Sequence, residues 1–330
     1  MNVTESQKVL RRFGVEPVSI ATIKETETGR GVWRVTAATG ALYVLKRVRL
    51  VERATLVAAV GQYLLPTGLP LVASLPGVNG EPYVLEEGLP HLLFPWIEGS
   101  RPDYNQPGLV ERLAALLGQF HERSQGYVAT GGPCEWQADW DPTYTLWIKR
   151  LKRMSWQALC SDDAFSRAFY PHLPWLHARA KWALDRLPGA GLPQVLALFE
   201  RNPLLGHGDY SRDNVLLGPD GGLTIIDLDQ SAVQLPVWDL SRLVTWINHD
   251  LQAWNASSLH RVLRAYEQVR PLSRMEKDLL LVDQVFPHQA LSIARAYYTD
   301  GGSPTLGEEL ERCVETDRVK LADLGLGPAP

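Results

Sequence analysis

Two short segments carry the residue types that can do chemistry. HGDYSRDN, residues 207–214, is followed by IIDLD, residues 225–229, so an aspartate (Asp209), an asparagine (Asn214) and a second aspartate (Asp227) fall close together. That set suits phosphoryl transfer from a metal nucleotide. One carboxylate accepts the proton of an attacking hydroxyl, while an amide oxygen and another carboxylate hold the Mg²⁺ that offsets phosphate charge. Between the segments, Pro219-Asp220-Gly221-Gly222 reads as a tight turn flanked by apolar stretches at 215–217 and 223–226. This is the pattern of a β-hairpin, which would bring Asn214 and Asp227 together.

The elements that must position these residues are legible upstream. Residues 18–24, 31–37 and 41–48 read as strands, separated by the turns ETETGRG and Ala38-Thr39-Gly40. Period-two alternation puts Leu42, Val44 and Lys46 on one face of the third strand. A lysine sharing a face with two apolar residues needs a partner for its charge. A helix is expected over 52–64. From Gln106 onward the pattern is helical, with Leu109, Leu113, Leu116, Leu117 and Phe120 recurring at three and four residues.

In order and at this spacing, HGDxxxxN and IDxxD resemble the catalytic and metal loops of the aminoglycoside phosphotransferase and choline kinase superfamily. The resemblance implies an α+β, bilobal protein-kinase-like fold. A small antiparallel β-sheet lobe with one main helix, residues 1–96, would bind nucleotide, and a larger, mostly helical lobe, 97–330, would carry catalysis and substrate. Gly208 stands where protein kinases have Arg, and Asp227-Leu228-Asp229 where they have Asp-Phe-Gly, which favours the small-molecule branch. ATP and Mg²⁺ are implied as cofactors and a small-molecule hydroxyl as acceptor. Asp209 takes the catalytic place, Asn214 and Asp227 the metal places, and Lys46 the phosphate-binding place on the third strand. Gly29 and Gly31 fall in the turn whose amides would cradle phosphate, although no GxGxxG is present. HLLFPWIEG, residues 91–99, looks like the hinge, with backbone groups at Trp96 and Ile97 facing the adenine edge; Pro95 has no N–H to give. Glu52 and Gln62 both remain candidates for the helix residue that would pair with Lys46.

A closer resemblance runs over nearly the whole chain. VWRV, ALYVLKRVR, PWIEG, HGDYSRDNVLL, IIDLDQSAVQLPVWDL and VFPHQALSIARAYY together resemble the CotS-like spore coat kinase family. This implies an endospore-forming source, synthesis in the cytoplasm, and deposition in the spore coat among coat proteins. It brings no acceptor identity. A coat protein or pseudokinase that keeps the fold with little turnover is the alternative.

Composition sets the outer bounds. The 330 residues are 45% hydrophobic and 21% charged with net charge −4, an ordinary soluble profile without a basic excess for nucleic acid or an anionic membrane. The first residues, MNVTESQKVLRRFG, lack the apolar core of a signal peptide, and no apolar run approaches a membrane span. Cys134, Cys160 and Cys313 are widely spaced and read as structural thiols in a reducing compartment. Six tryptophans between 136 and 182 are expected mainly to fill the core. Lys149, Arg150, Lys152 and Arg153 form a basic cluster expected on a solvated helix face, and His121 is expected in the core. Asp239 is expected to cap the helix that opens at LPVWDL and to brace the catalytic loop.

Overall fold

The structure, a computed structural model, describes residues 3–26, 30–128, 137–303 and 305–327, and side chains from residue 6 onward. Two compact units arise. The first gathers Met1–Pro102, Gln119–Glu135 and Pro203–Val233; the second gathers Asp103–Gly118, Trp136–Asn202 and Gln234–Pro330. The fold is the expected one, a five-stranded antiparallel sheet with one main helix and a mostly helical remainder.

The first unit opens with α1 (Val3–Arg12) and continues through β1 (Pro17–Glu25), β2 (Gly31–Ala37), β3 (Leu42–Arg47), α2 (Val51–Leu64), β4 (Val84–Glu86) and β5 (Leu89–Pro95), the strands lying in the order β1-β2-β3-β5-β4. α1 is shorter than the roughly 12–15 residues at which isolated helices become marginally stable in water. What holds it is burial of Val9, Leu10 and Phe13 against Trp33, Val35 and Leu45 of the sheet, at about 1.5–3 kcal/mol per fully buried large side chain. Leu45 and Arg47 lie on this core side of β3, the Arg47 guanidinium being paired with Glu25 at 3.1 Å and stacked over Trp33 at 5.2 Å. Val44 and Lys46 therefore take the opposite face.

A segment from much later in the sequence joins this unit. It carries β6 (Leu205–Gly206), β7 (Val215–Leu217), β8 (Leu223–Ile225) and β9 (Ala232–Val233), with β7 and β8 forming the expected hairpin. Backbone bonds tie the hairpin down. Val72 N–H donates to Ile225 O and Ile225 N–H to Pro70 O, both at 2.9 Å, and Ser100 and Leu217 exchange bonds of 2.9 and 2.8 Å.

α3 (Leu109–Arg123) runs through both units, with His121 buried as expected. The second unit holds α4 (Trp140–Leu159), α5 (Ala164–Phe169), α6 (Leu173–Arg186), α7 (Leu192–Phe199), α8 (Pro236–Asp250), α9 (Ala256–Glu267), α10 (Arg274–Val285), α11 (His288–Asp300) and α12 (Leu306–Leu324). Trp140 is fully buried, whereas Trp156 on the same helix is 68% exposed, so core filling accounts for some of the tryptophans only; Trp136 and Cys134 lie outside the described residues. The cluster at 149–153 is a solvated face apart from Leu151, which is buried. Asp239 does not cap α8. The helix starts earlier, at Pro236 with Leu235 as the N-cap residue, which leaves Asp239 buried in the first turn.

The core of this unit is organised by Asp283. Its buried carboxylate accepts hydrogen bonds from Tyr144 at 2.5 Å, from His288 Nε2 at 2.7 Å, and from Ser241 and Arg242. Tyr144 stacks on Phe286 at 4.0 Å and Arg242 lies over Trp238 at 4.7 Å. A buried carboxylate is tolerated only when saturated in this way. Burial alone would raise the Asp283 carboxyl, but Arg242 and His288 hold it well below the usual carboxylate range. Burial, aided by the Arg242 charge and opposed by Asp283, lowers His288 from 6.5 to about 4. The unfolded chain therefore binds a proton at residue 288 between about pH 6.5 and pH 4 that the folded chain refuses, so stability rises with pH across this window. Urea titrations at about pH 7 and about pH 4.5 should show the wild type losing on the order of 2–3 kcal/mol. His288→Asn should lose clearly less; an equal loss in both proteins would contradict the assignment.

Candidate active site

Lys46 sits at the centre of the site. Its Nζ donates to Asp227 Oδ1 at 2.8 Å and lies 2.9 Å from Asp229 Oδ1. The lysine side chain is 15% exposed. Burial would lower its ammonium, but Asp229 and Asp227 hold it above its ordinary value. The two carboxyls diverge. Burial pushes both up; Lys46 wins at Asp227, which ends lower than usual, whereas at Asp229 burial and the Asp227 charge win, and it ends higher. One ammonium cannot neutralise two carboxylates, so the cluster keeps surplus negative charge where a divalent cation would be favoured. Asp229 Oδ1 is also buried and off the line of a hydrogen bond.

Local backbone explains why these groups converge. Asp227 adopts a left-handed conformation, φ 59° and ψ 72°, and its Oδ1 accepts from Asp229 N–H at 3.3 Å. Such a conformation costs a non-glycine residue on the order of 1–3 kcal/mol and persists only where surroundings impose it. Buried Leu228 anchors the turn between the two carboxylates. α2 contributes through Arg53, which donates to Asp229 O at 2.7 Å. Glu52 and Gln62 are both exposed, and neither is among the ion-pair partners of Lys46.

The loop carrying Asp209 is braced from inside. His207 is fully buried. Its Nδ1 accepts from Asp209 N–H at 3.3 Å, which assigns the proton to Nε2, the donor to Ile226 O at 3.1 Å. Ile226 N–H in turn donates to Asn214 O at 3.0 Å. Asn214 Nδ2 donates to Asp209 O at 2.7 Å and to Asp209 Oδ2 at 2.9 Å. With its amide nitrogen turned to Asp209, Asn214 presents its carbonyl oxygen the other way. Gly208 has φ +81°, and a Cβ there would lie 2.1 Å from Gln230 O. No L side chain fits, the arginine of protein kinases included.

A cavity of about 320 Å³ adjoins these groups. Its walls include Val32, Val44, Val72, Phe94, Leu216 and Ile226, and its charged lining residues are Lys46 and Asp227. Trp96, Ile97 and Gly99 line it as well. Trp96 cannot offer its backbone N–H to a ligand, because that group donates to Leu42 O at 3.0 Å in the continuing sheet ladder; its ring lines the pocket, stacked under Arg34 at 4.7 Å with Nε1 donating to Glu98. Gly31 opens β2, and a Cβ on it would fall 2.0 Å from the Trp33 ring, a packing reason for glycine independent of any ligand. Gly29 lies outside the described residues. Asp229 and Arg53 had no role in the sequence reading. The signal for Asp229 was a second acid two residues beyond Asp227; nothing in the sequence marks Arg53.

Residues 19–272 match the Phosphotransferase enzyme family, and the chain belongs to that family. It is similar to spore coat protein S of Bacillus subtilis (strain 168), 24% identical over 283 residues that cover 84% of this chain and 79% of that protein. Among solved structures, an aminoglycoside phosphotransferase from Alicyclobacillus acidocaldarius superposes with TM-score 0.80 at 18% identity, covering 96% of this chain and 94% of the other. Spectinomycin phosphotransferase in complex with ADP and spectinomycin superposes with TM-score 0.71 at 13% identity, covering 96% and 98%. These likenesses are of fold.

Gly208→Ala should lower the unfolding free energy by more than about 2 kcal/mol, combining a left-handed alanine with a backbone clash. Gly221→Ala, with nearly the same φ of +82° but an added Cβ that would meet nothing within 4 Å, should cost about 1 kcal/mol. Denaturant titration of the two variants compares them directly; equal losses would contradict the packing described around Gln230.

Proposed function

We propose that the protein transfers the γ-phosphoryl group of ATP, with Mg²⁺, to a hydroxyl of a small molecule such as a sugar or amino alcohol. The observation that carries this reading is the Lys46–Asp227–Asp229 cluster at an apolar cavity, in the same compact unit as the Asp209–Asn214 loop. The residues fit both groups. The cavity has apolar walls for a flat base, and the surplus carboxylate charge of Asp227 and Asp229 around one ammonium suits a divalent cation. Asn214 and Asp227 would hold the metal, with Asp229 beside them. When bound, the metal nucleotide supplies the electrophilic phosphorus and neutralises charge on its oxygens.

The chain's own residues would do the rest. Ile97 N–H, rather than that of Trp96, would meet the base edge, and Gly29 and Gly31 would lend their backbone to the phosphates in this reading. Lys46 would release Asp227 to the metal and turn to phosphate oxygens, exchanging one set of charge partners for another. Asp209, oriented through its backbone by His207 and through Oδ2 by Asn214, would accept the hydroxyl proton as the oxygen–phosphorus bond forms. In this reading the chain is made in the cytoplasm, and the likeness to spore coat protein S supports a place in the spore coat, with coat proteins as partners.

Asp209→Asn keeps shape and removes the proton acceptor. It should leave Mg-ATP affinity nearly unchanged while cutting turnover against a hydroxyl-metabolite panel by about 10²-fold or more. Wild type and variant that both bind Mg-ATP but transfer phosphate equally would instead favour a coat scaffold that retains the fold without using its chemistry.

A further inference from the structure

Local helix energetics do not favour a cation where α2 has one. Arg53 lies in the first turn of the helix, beside Glu52, at the end where the helix dipole is positive and an acid is the favoured type. The N-cap residue, Leu50, makes no side-chain cap bond there either. A residue that breaks a local rule needs a non-local reason. Here the reason is a main-chain carbonyl. The Arg53 guanidinium donates to Asp229 O at 2.7 Å, and both residues belong to the first compact unit.

That bond completes the hold on one short turn. Leu228–Gln230 is a single turn of 3-10 helix entered from the left-handed Asp227. Leu228 O accepts from Ser231 N–H at 3.1 Å. Gln230 O lies against Gly208, where a Cβ would fall 2.1 Å from it. Asp229 O, between them, is the carbonyl that Arg53 takes. Burial and Lys46 are the leading influences on the Asp227 and Asp229 carboxyls, so Arg53 acts on them through the backbone rather than as their main charge partner. The Asp229 carboxylate projects from the residue whose carbonyl Arg53 holds, and Asp227 Oδ1 accepts from the N–H of that same residue at 3.3 Å. A shift of residue 229 would therefore disturb both oxygens that meet Lys46 Nζ.

We propose that Arg53 is a positioning residue for the metal nucleotide. By holding the Asp229 carbonyl it keeps Asp227 and Asp229 converged, and so sets the affinity for the divalent cation. The inference rests on the phosphotransferase reading and gives α2 a role in it that needs no glutamate. Groups that orient metal ligands change metal affinity by about 10–100-fold when removed.

Arg53→Met keeps the length of the side chain and removes its donors. Its ATP affinity with excess Mg²⁺ should fall by about tenfold or more, while its affinity in EDTA should match wild type. Arg53→Lys, which retains one cationic donor, should recover part of the loss. A second readout needs no nucleotide. Acetylation of Lys46 by a water-soluble N-hydroxysuccinimide ester, followed by mass spectrometry, should be faster in Arg53→Met. Acetylation of Lys320, buried and paired with Asp317 in the other unit, should be unchanged, which separates loosening of the turn from general unfolding. Absence of metal-dependent ATP binding in wild type would overturn the phosphotransferase reading and this inference with it. Metal-dependent binding in wild type with the same ratio of affinities in Arg53→Met, whatever its melting temperature, or equal Lys46 acetylation in the two proteins, would overturn the role of Arg53 alone.

Discussion

Everything at the Lys46 site depends on keeping one lysine charged in a largely buried place. A buried ammonium without partners would lose its proton or its place. Asp227 and Asp229 prevent both, and the surplus of carboxylate over ammonium leaves a repulsion that a divalent cation would relieve. The geometry is costly to hold. It requires a strained backbone at Asp227, a side-chain-free position at Gly208, and a hairpin tied by backbone bonds to Pro70, Val72 and Ser100. Each of these serves to keep the carboxylates within 3 Å of Nζ. In many kinase-like folds a helix glutamate orients the lysine; here α2 reaches the same cluster through Arg53 and a main-chain carbonyl.

The helical unit shows a related economy of charge. Asp283 takes four donors and sits in a cage of aromatic rings; Asp317 takes two cations and fixes α6 against α12. Buried ion pairs of this kind add little net stability over apolar packing but make alternative packings expensive, because any shift strands a charge.

Local patterns made much of this legible. Alternation placed Lys46 and Val44 on one face of β3, and turn chemistry at Pro219–Gly222 gave the β7–β8 hairpin, because both depend on neighbours a few residues apart. The helix over α2 was readable for the same reason. What could not be read was long-range. No rule of spacing links residue 46 to 229, or Arg53 to a carbonyl at 229. The amide of Trp96 looked free in sequence and is in fact used by Leu42, since whether a strand's ladder continues past a proline is decided by its neighbour. Asp239 reads as a cap in sequence because capping residues are usually polar; α8 instead starts on Pro236, whose fixed φ suits a first helical residue. An aspartate inside the apolar run LLLVDQVF was the one visible hint of the Asp283 hub.

The central claim is that the Lys46 cluster exists to be reorganised by a metal nucleotide. The most direct measurement is ATP affinity of wild type and Asp227→Ala, each with excess Mg²⁺ and with EDTA. Wild type should bind ATP at least about tenfold more tightly with metal, and Asp227→Ala should show little difference between the two conditions. Equal metal dependence in both proteins, or none in wild type, would contradict the account.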